Sequence, residues 1–224
     1  MIRRLAGELR RRWLLARAPA GPRRDFLAAP WPPGGLPCAA ARYLALDLET
    51  TGGDPQQHEI VSLGWVCLDG PRIDLGSARR RIVRIAGAMS AESATVHAIT
   101  DDEAAAGVPL DAALRELLAA LAGRVLIAHY APTERGFVDA ACRRLLGGGI
   151  AIPAIDTLDI ARRLMPPGQA PAPGSLRLGT LRRHYGLPRY PAHDALSDAL
   201  AAAELFLAQL GAAPRPPTLA EWLA

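Results

Sequence analysis

The stretch Tyr43–Gly52, reading YLALDLETTG, constrains this chain more than any other. Strand side chains alternate between faces, so Leu44, Leu46 and Leu48 point to one layer and Tyr43, Ala45, Asp47 and Glu49 to the other. The second face is apolar until the acids begin. Two neighbouring carboxylates on one face repel unless a cation sits between them, and hard oxygen ligands of this kind suit Mg²⁺ or Mn²⁺. Thr50, Thr51 and Gly52 then turn the chain, offering hydroxyl and backbone N–H groups beside the acids. The plainer reading is a strand that leaves the core with its polar residues in water.

The pattern around this strand alternates strand and helix. Tyr43–Glu49, Glu59–Leu68 and Arg79–Ile85 read as an antiparallel meander. Leu110–Ala122 is a helix leading into a short strand, Val125–Ala128. Pro132–Leu146 is a second helix, and Ile155–Leu164 a short strand entering a third. Beyond the loop Ala170–Gly174, Leu176–Tyr185 and Asp194–Leu210 are helical. Early antiparallel strands followed by β-α-β units predict a mixed α/β sheet with helices on both faces. The 224 residues divide into a basic arm and linker over 1–41, a domain over 42–211 and a short tail over 212–224. The domain is large enough to bury a core without disulfide or metal staples.

The arm carries the positive charge. All 26 basic residues are arginine, against 22 acids. Residues 1–41 hold eight arginines against Glu8 and Asp25, and residues 42–224 hold eighteen against twenty acids. Leu5, Leu9, Trp13 and Leu14 fall at roughly helical spacing, while Glu8 and Arg10–Arg12 interrupt any signal-peptide apolar region. PWPPGGLP, Pro30–Pro37, is a linker that cannot be helix. The arm is read as a basic helix lying on its own domain, or as a contact for nucleic acid, an anionic surface or a protein partner. No apolar run nears the ~20 residues of a membrane span. Cys38, Cys67 and Cys142, odd in number and far apart, argue against a disulfide framework or zinc knuckle and fit a cytoplasmic setting.

Two further segments carry chemistry. In LIAHYAPTERGFVDAA, residues 126–141, Pro132 suits a helix's first turn, which puts Glu134 near the N-terminus. Glu134, Val138, Ala141 and Leu145 then form one stripe. A carboxylate heading an apolar stripe needs a partner, unless it serves only as a dipole-favoured N-terminal charge. In HDALSD, residues 193–198, His193 precedes a helix and Asp198 falls in its early turns, with Leu196, Leu200, Ala203 and Leu207 as the packing stripe. A helix N-terminus disfavours imidazolium, so it helps keep His193 competent as a base. Taken alone, such a pair also reads as helix capping.

Asp47-x-Glu49, Glu134 and His193-x₄-Asp198 together resemble the three motifs of the DEDD exonuclease superfamily in its histidine-bearing branch. Within it they resemble DnaQ-like domains, a group that includes the proofreading subunit of bacterial DNA polymerase III and RNase T. TVHAIT at 95–100 and DTLDIARRL at 156–164 resemble further family segments. The resemblance spans Arg42–Gly211. It implies an RNase H-like fold, a five-stranded mixed β-sheet flanked by helices, here with an arginine-rich helical extension before it. It also implies phosphodiester cleavage with two divalent cations, Mg²⁺ or Mn²⁺. On that likeness Asp47 bridges the ions, Glu49 and Asp198 complete one site, Glu134 holds the second, and His193 is the general base. Leu48, Thr50, Glu92 and His97 match positions that meet the terminal nucleotide. Three positions depart from the family: Glu134 stands for Asp, Tyr130 and Thr133 for Asn and Phe, and Ala98 for Gly.

The function expected is a 3′→5′ exonuclease acting on single-stranded 3′ ends, DNA favoured and RNA open. The alternative is a catalytically weak or inactive nucleic-acid-binding module of the same fold, which the substitutions around Glu134 and the arginine arm motivate.

Overall fold

A computed structural model describes residues 2–84, 101–166, 168, 170–191 and 193–223. Glu92, His97 and Ala98 lie outside the described residues, as does the end of the expected strand Arg79–Ile85. Five strands form one sheet in the order β3-β2-β1-β4-β5. β1 (Arg42–Thr50), β2 (Ile60–Asp69) and β3 (Arg72–Ile82) are antiparallel neighbours. β4 (Val125–Ala128) pairs parallel with β1, and β5 (Ala154–Asp156) pairs parallel with β4. Parallel pairing needs a crossover. Helix α4 (Leu110–Leu121) precedes β4, and α5 (Pro132–Leu145) links β4 to β5; a one-turn helix α3 (Asp101–Ala105) comes before them.

The third strand differs from its expected bounds. It begins seven residues early, because Gly70 takes a positive φ of 58° and turns β2 straight back. Its mixed polar sequence hides it from pattern reading, since an edge strand buries little; the row Arg79, Arg80, Arg81 also blunts that edge against pairing with another chain.

Alternation along β1 sorts the core into two layers. Leu44, Leu46 and Leu48 pack with Leu63, Trp65, the Leu114–Leu121 stripe of α4, and Phe137, Val138 and Cys142 of α5. Helix α2 (Pro22–Ala28) adds Phe26 and Leu27 to that layer. On the other face Tyr43 and Ala45 pack with Val66, Ile127, Ile155, Ile160 of α6 (Thr157–Arg163), and Ala203 and Phe206 of α8 (Ala195–Ala212). Helix α9 (Leu219–Trp222) closes this layer, with the Trp222 ring edge-on to Phe206 at 6.0 Å. A short α7 (Leu178–His184) packs beside α8.

Helix α8 is long and apolar enough to cross a membrane by composition, but it packs along β1 and β2. Its buried residues are Ala195, Ala199, Ala201, Ala202, Ala203, Leu205, Phe206 and Gln209. Of the expected stripe Leu196–Leu200–Ala203–Leu207, Ala203 is fully buried and Leu200 and Leu207 pack half-buried against the same core layer. Alanines face the sheet and let the helix axis come close; the leucines lie at its flanks. The approach is tightest at Gly64 on β2, where a Cβ would sit 2.1 Å from the Ala195 carbonyl carbon and the Leu196 nitrogen. Gly64 is the register partner of Asp47. A side chain there would push the start of α8 off the strand that carries the first carboxylate.

Gly64→Ala is thus expected to cost about 1–3 kcal/mol through overpacking. Gly211→Ala near the end of the same helix, where an added methyl meets nothing within 4 Å, should be neutral or slightly stabilising. Denaturant melts of the two variants check the difference.

Candidate active site

Asp47 and Glu49 lie on the α8 face of β1, and the first turn of α8 brings Asp198 to them. One carboxylate oxygen from each of the three lies within 4.8 Å of the others. Asp194 is the N-cap of α8: its Oδ1 accepts the Ser197 N–H at 2.9 Å, and its Oδ2 is ion-paired with Arg80 of β3 at 2.8 Å. Capping is therefore the work of Asp194, which leaves Asp198 turned toward β1. Sequence reading had no separate role for Asp194, although an acid directly before an apolar helix is the usual N-cap signal.

His193 sits at the lip of this cluster. Its side chain is exposed and its backbone takes a left-handed φ of 67°. Its N–H donates to Asp198 Oδ2 at 2.9 Å, so the histidine loop and the third carboxylate are one unit. The loop is anchored from behind by the buried Arg182, which donates to Ala201 O, Pro188 O and Glu204 Oε2 at 2.7–2.8 Å. Its guanidinium also lies 4.5 Å over the Tyr190 ring, whose hydroxyl donates to Glu204 at 2.8 Å. A cavity of about 530 Å³ opens here, lined by His193 and Asp198 together with the exposed Arg177, Arg183 and Arg189.

Glu134 enters from α5. It is 4% exposed, and its Oε2 has no hydrogen-bond partner. It heads a buried stripe with Val138 and Ala141, which continues through Cys142 because Leu145 is 40% exposed. The loop ahead of α5 is held by Asp156 at the end of β5. That buried carboxylate accepts the N–H groups of Tyr130, Ala131 and Leu158 at 2.9, 3.2 and 2.9 Å. Tyr130 needs the clamp, since its φ of 76° is one that a bulky aromatic rarely adopts and that Asn tolerates well. Half-buried His129 braces the same loop, its ring nitrogens bonded to Thr157 Oγ1 at 2.8 Å and Leu176 O at 2.9 Å. Burial lowers its pKa, so the neutral ring donates from Nε2 to Leu176 O. The DTL segment was visible in the sequence, but not the bonds that Asp156 makes.

The remaining positions are less direct. Thr50 Oγ1 donates to Gly52 O at 2.9 Å and closes the turn after β1. Leu48 is 7% exposed and its side chain lies in the opposite core layer.

The electrostatics are those of carboxylates taken out of water, with mutual repulsion added at Asp47. Burial, then the carboxylates of Glu134, Asp198, Glu49 and Asp194, push the Asp47 pKa well above the usual carboxylate range. Burial raises Glu134 to about 8, with Asp156 adding to the rise. Burial also raises Asp198, against the opposing hydrogen bond from His193. A buried, unpartnered carboxylate oxygen beside three converging carboxylates is a hard oxygen donor set that fits a divalent cation.

The family model for the RNase T exonuclease family matches residues 44–206. The chain belongs to that family. It lies in the DnaQ-like part of the DEDD exonuclease superfamily, and the five-stranded sheet is the RNase H-like fold. The PolC-type DNA polymerase III of Thermotoga maritima is 29% identical over 167 residues, covering 75% of this chain. That of Listeria innocua is 29% identical over 166 residues. The chain spans only 12% and 11% of those two proteins. Among solved structures, E. coli exonuclease I in complex with a dA16 oligonucleotide is similar with a TM-score of 0.66 and 18% identity, over 81% of this chain and 42% of that one. The nuclease domain of 3′hExo, a DEDDh family member bound to rAMP, is similar with a TM-score of 0.63 and 17% identity, over 77% and 93%. At these identities the structures speak for the fold.

The raised pKa values carry a sign. Without metal, the fold keeps protons on Asp47, Glu134 and Asp198 that the unfolded chain has lost, so stability falls as pH climbs from the ordinary carboxylate range toward about 8. Melting of the metal-free protein should therefore be lower at pH 8 than at pH 5. Asp47→Asn should raise it at pH 8, and added Mg²⁺ or Mn²⁺ should raise the wild type more at pH 8 than at pH 5. Thermal melts with chelator and with metal check all three.

Proposed function

We propose that this chain is a 3′→5′ exonuclease that hydrolyses phosphodiester bonds at single-stranded 3′ ends, DNA favoured over RNA. The observation that carries the reading is the convergence of Asp47, Glu49 and Asp198 within 4.8 Å, with His193 hydrogen-bonded through its backbone to the third. The complexes of the similarly folded E. coli exonuclease I with dT13 and dA16 oligonucleotides support a single-stranded substrate.

Asp47, Glu49 and Asp198 would hold one divalent cation, Mg²⁺ or Mn²⁺, and Glu134 would help to hold a second. When bound, such ions neutralise developing charge and lower the barrier to attack by water. His193, at the exposed lip, takes the proton from the attacking water as its oxygen bonds to phosphorus and the bond to the leaving 3′ oxygen breaks. Thr50 and the turn it closes face the terminal nucleotide, with Glu92 and His97 as further contacts by family likeness. Arg177, Arg183 and Arg189 along the neighbouring cavity supply sequence-independent attraction for backbone phosphates. The inactive-module alternative has weaker support, because Glu134 keeps a buried carboxylate where the family has Asp.

The test uses 5′-labelled DNA and RNA strands with Mn²⁺. A ladder of shortened products is expected from wild type. Asp47→Ala should lose about two orders of magnitude or more while remaining folded, because its packing neighbours Leu46 and Leu48 face the other layer. His193→Ala should lose about 10²-fold or more while remaining folded. Glu134→Asp should keep activity or raise it, and Glu134→Ala should nearly abolish it, with partial rescue by excess Mn²⁺. Retention of the strands without shortening would establish the binding module instead.

A further inference from the structure

Helix α1 (Ile2–Ala16) turns a row of uncovered apolar side chains outward. Leu5, Leu9 and Trp13 follow at four-residue steps and are 53%, 66% and 55% exposed. Half of the exposed large apolar side chains among the described residues thus lie side by side on one helix. The helix cannot roll to hide them, because its other face is fixed. Leu14 is buried in the core, and Gly7 lets the Trp31 ring lie where a side chain would otherwise be. Buried Arg11 donates to Leu27 O and to Ala29 O, and Arg10 pairs with Asp139 of α5 at 3.2 Å.

Arginines border the row. At 100° per residue, Arg12 falls on one side of the Leu5–Leu9–Trp13 row, and Arg10 and Arg17 fall on the other. Arg12 is 71% exposed although it pairs with Glu8 at 3.6 Å, and the Arg17 guanidinium stacks on the Trp13 ring at 4.2 Å. The helix holds five arginines against one glutamate, whereas residues 42–224 are slightly acidic.

This combination selects among partners. Two copies meeting through the row would bring arginine rims face to face, an arrangement opposed by charge. Nucleic acid would satisfy the arginines but leave Leu5 and Leu9 against phosphate and water. An anionic bilayer satisfies both: apolar side chains enter the acyl boundary, the indole sits at headgroup depth, and the arginines reach lipid phosphates. We propose that α1 is an interfacial helix that docks this nuclease on an anionic lipid surface through Leu5, Leu9 and Trp13. The inference is independent of the catalytic assignment, since none of these residues touches the carboxylate cluster.

Co-sedimentation of the full chain with phosphatidylcholine vesicles, with and without phosphatidylglycerol, tests it. Binding is expected to the phosphatidylglycerol-containing vesicles, weakened by added salt. Leu5→Ser/Leu9→Ser/Trp13→Ser should weaken it about tenfold or more with little change in melting temperature. Arg12→Gln/Arg17→Gln should weaken anionic binding and leave the weak binding to phosphatidylcholine as it was. If the triple variant melts early, Leu9→Ser alone, at the most exposed position, should still reduce vesicle binding. Absence of binding to anionic vesicles, or equal binding by wild type and variants, overturns the proposal. So does a lipid-free dimer, or a retained oligonucleotide, that the triple variant releases, which would give the row to a second copy or to nucleic acid.

Discussion

Helix α8 rests on the sheet with nothing but the hydrogen of Gly64 between its backbone and β2. That contact sets the distance from which Asp198 meets Asp47 and Glu49. Burial raises the pKa of Asp47, Glu134 and Asp198, and at Asp47 the repulsion of Glu134, Asp198 and Glu49 adds to it. What holds them is ordinary packing elsewhere: alanines under α8, the Tyr43–Phe206 ring contact at 4.9 Å, and leucines behind β1. The core is organised so that its apolar gain offsets a local electrostatic loss, and a bound cation would recover part of that loss.

Much of this was legible in the chain. β1 could be read because two signals coincide there, a period of two and a charge pair at its end. Glu134 could be placed at the head of α5 because Pro132 fixes the helix start. The edge strand β3 was harder, since an element that buries one face weakly leaves a weak pattern. The packing face of α8 was legible at Leu200, Ala203 and Leu207 but not at its other alanines, which carry little hydrophobic weight in a pattern although small size is what the close approach requires. Asp156, Arg182 and Arg80 were beyond sequence reading for a different reason. Each acts by hydrogen bonds or ion pairs to residues remote in sequence, such as Tyr130, Glu204 and Asp194, and no local period encodes such partners.

Two of the three departures from the family pattern, Tyr130 with Thr133 and Glu134, fall on one loop and the helix start after it. Tyr130 takes a backbone conformation better suited to Asn, and Asp156 holds it there with two N–H bonds. Glu134 follows within a turn, with one methylene more than the family's Asp. The loop that leads to the carboxylate is thus tied both to β5, through Asp156, and to the first turn of α5, where Thr133 and Arg135 donate N–H bonds to Tyr130 O and Ala131 O at 3.1 Å.

The last helix has a consequence for how the molecule is made. Residues 217–220 bond to the linker at 34–38: Cys38 N–H to Pro217 O, Leu219 N–H to Leu36 O, and Ala220 N–H to Gly34 O, at 2.8–3.0 Å. Leu223 bridges onward to Ile155 of β5. The linker and its partner are about 180 residues apart, a long loop to close. At ribosomal speeds of roughly 5–20 residues per second, the linker waits on the order of 10–40 s for its partner to emerge. Until then the layer beneath Phe206 is open and Leu219 and Trp222 are missing from it. The nascent chain carries the strand with Asp47 and Glu49 from early in synthesis, yet the layer that covers its other residues is complete only after α9 has left the ribosome.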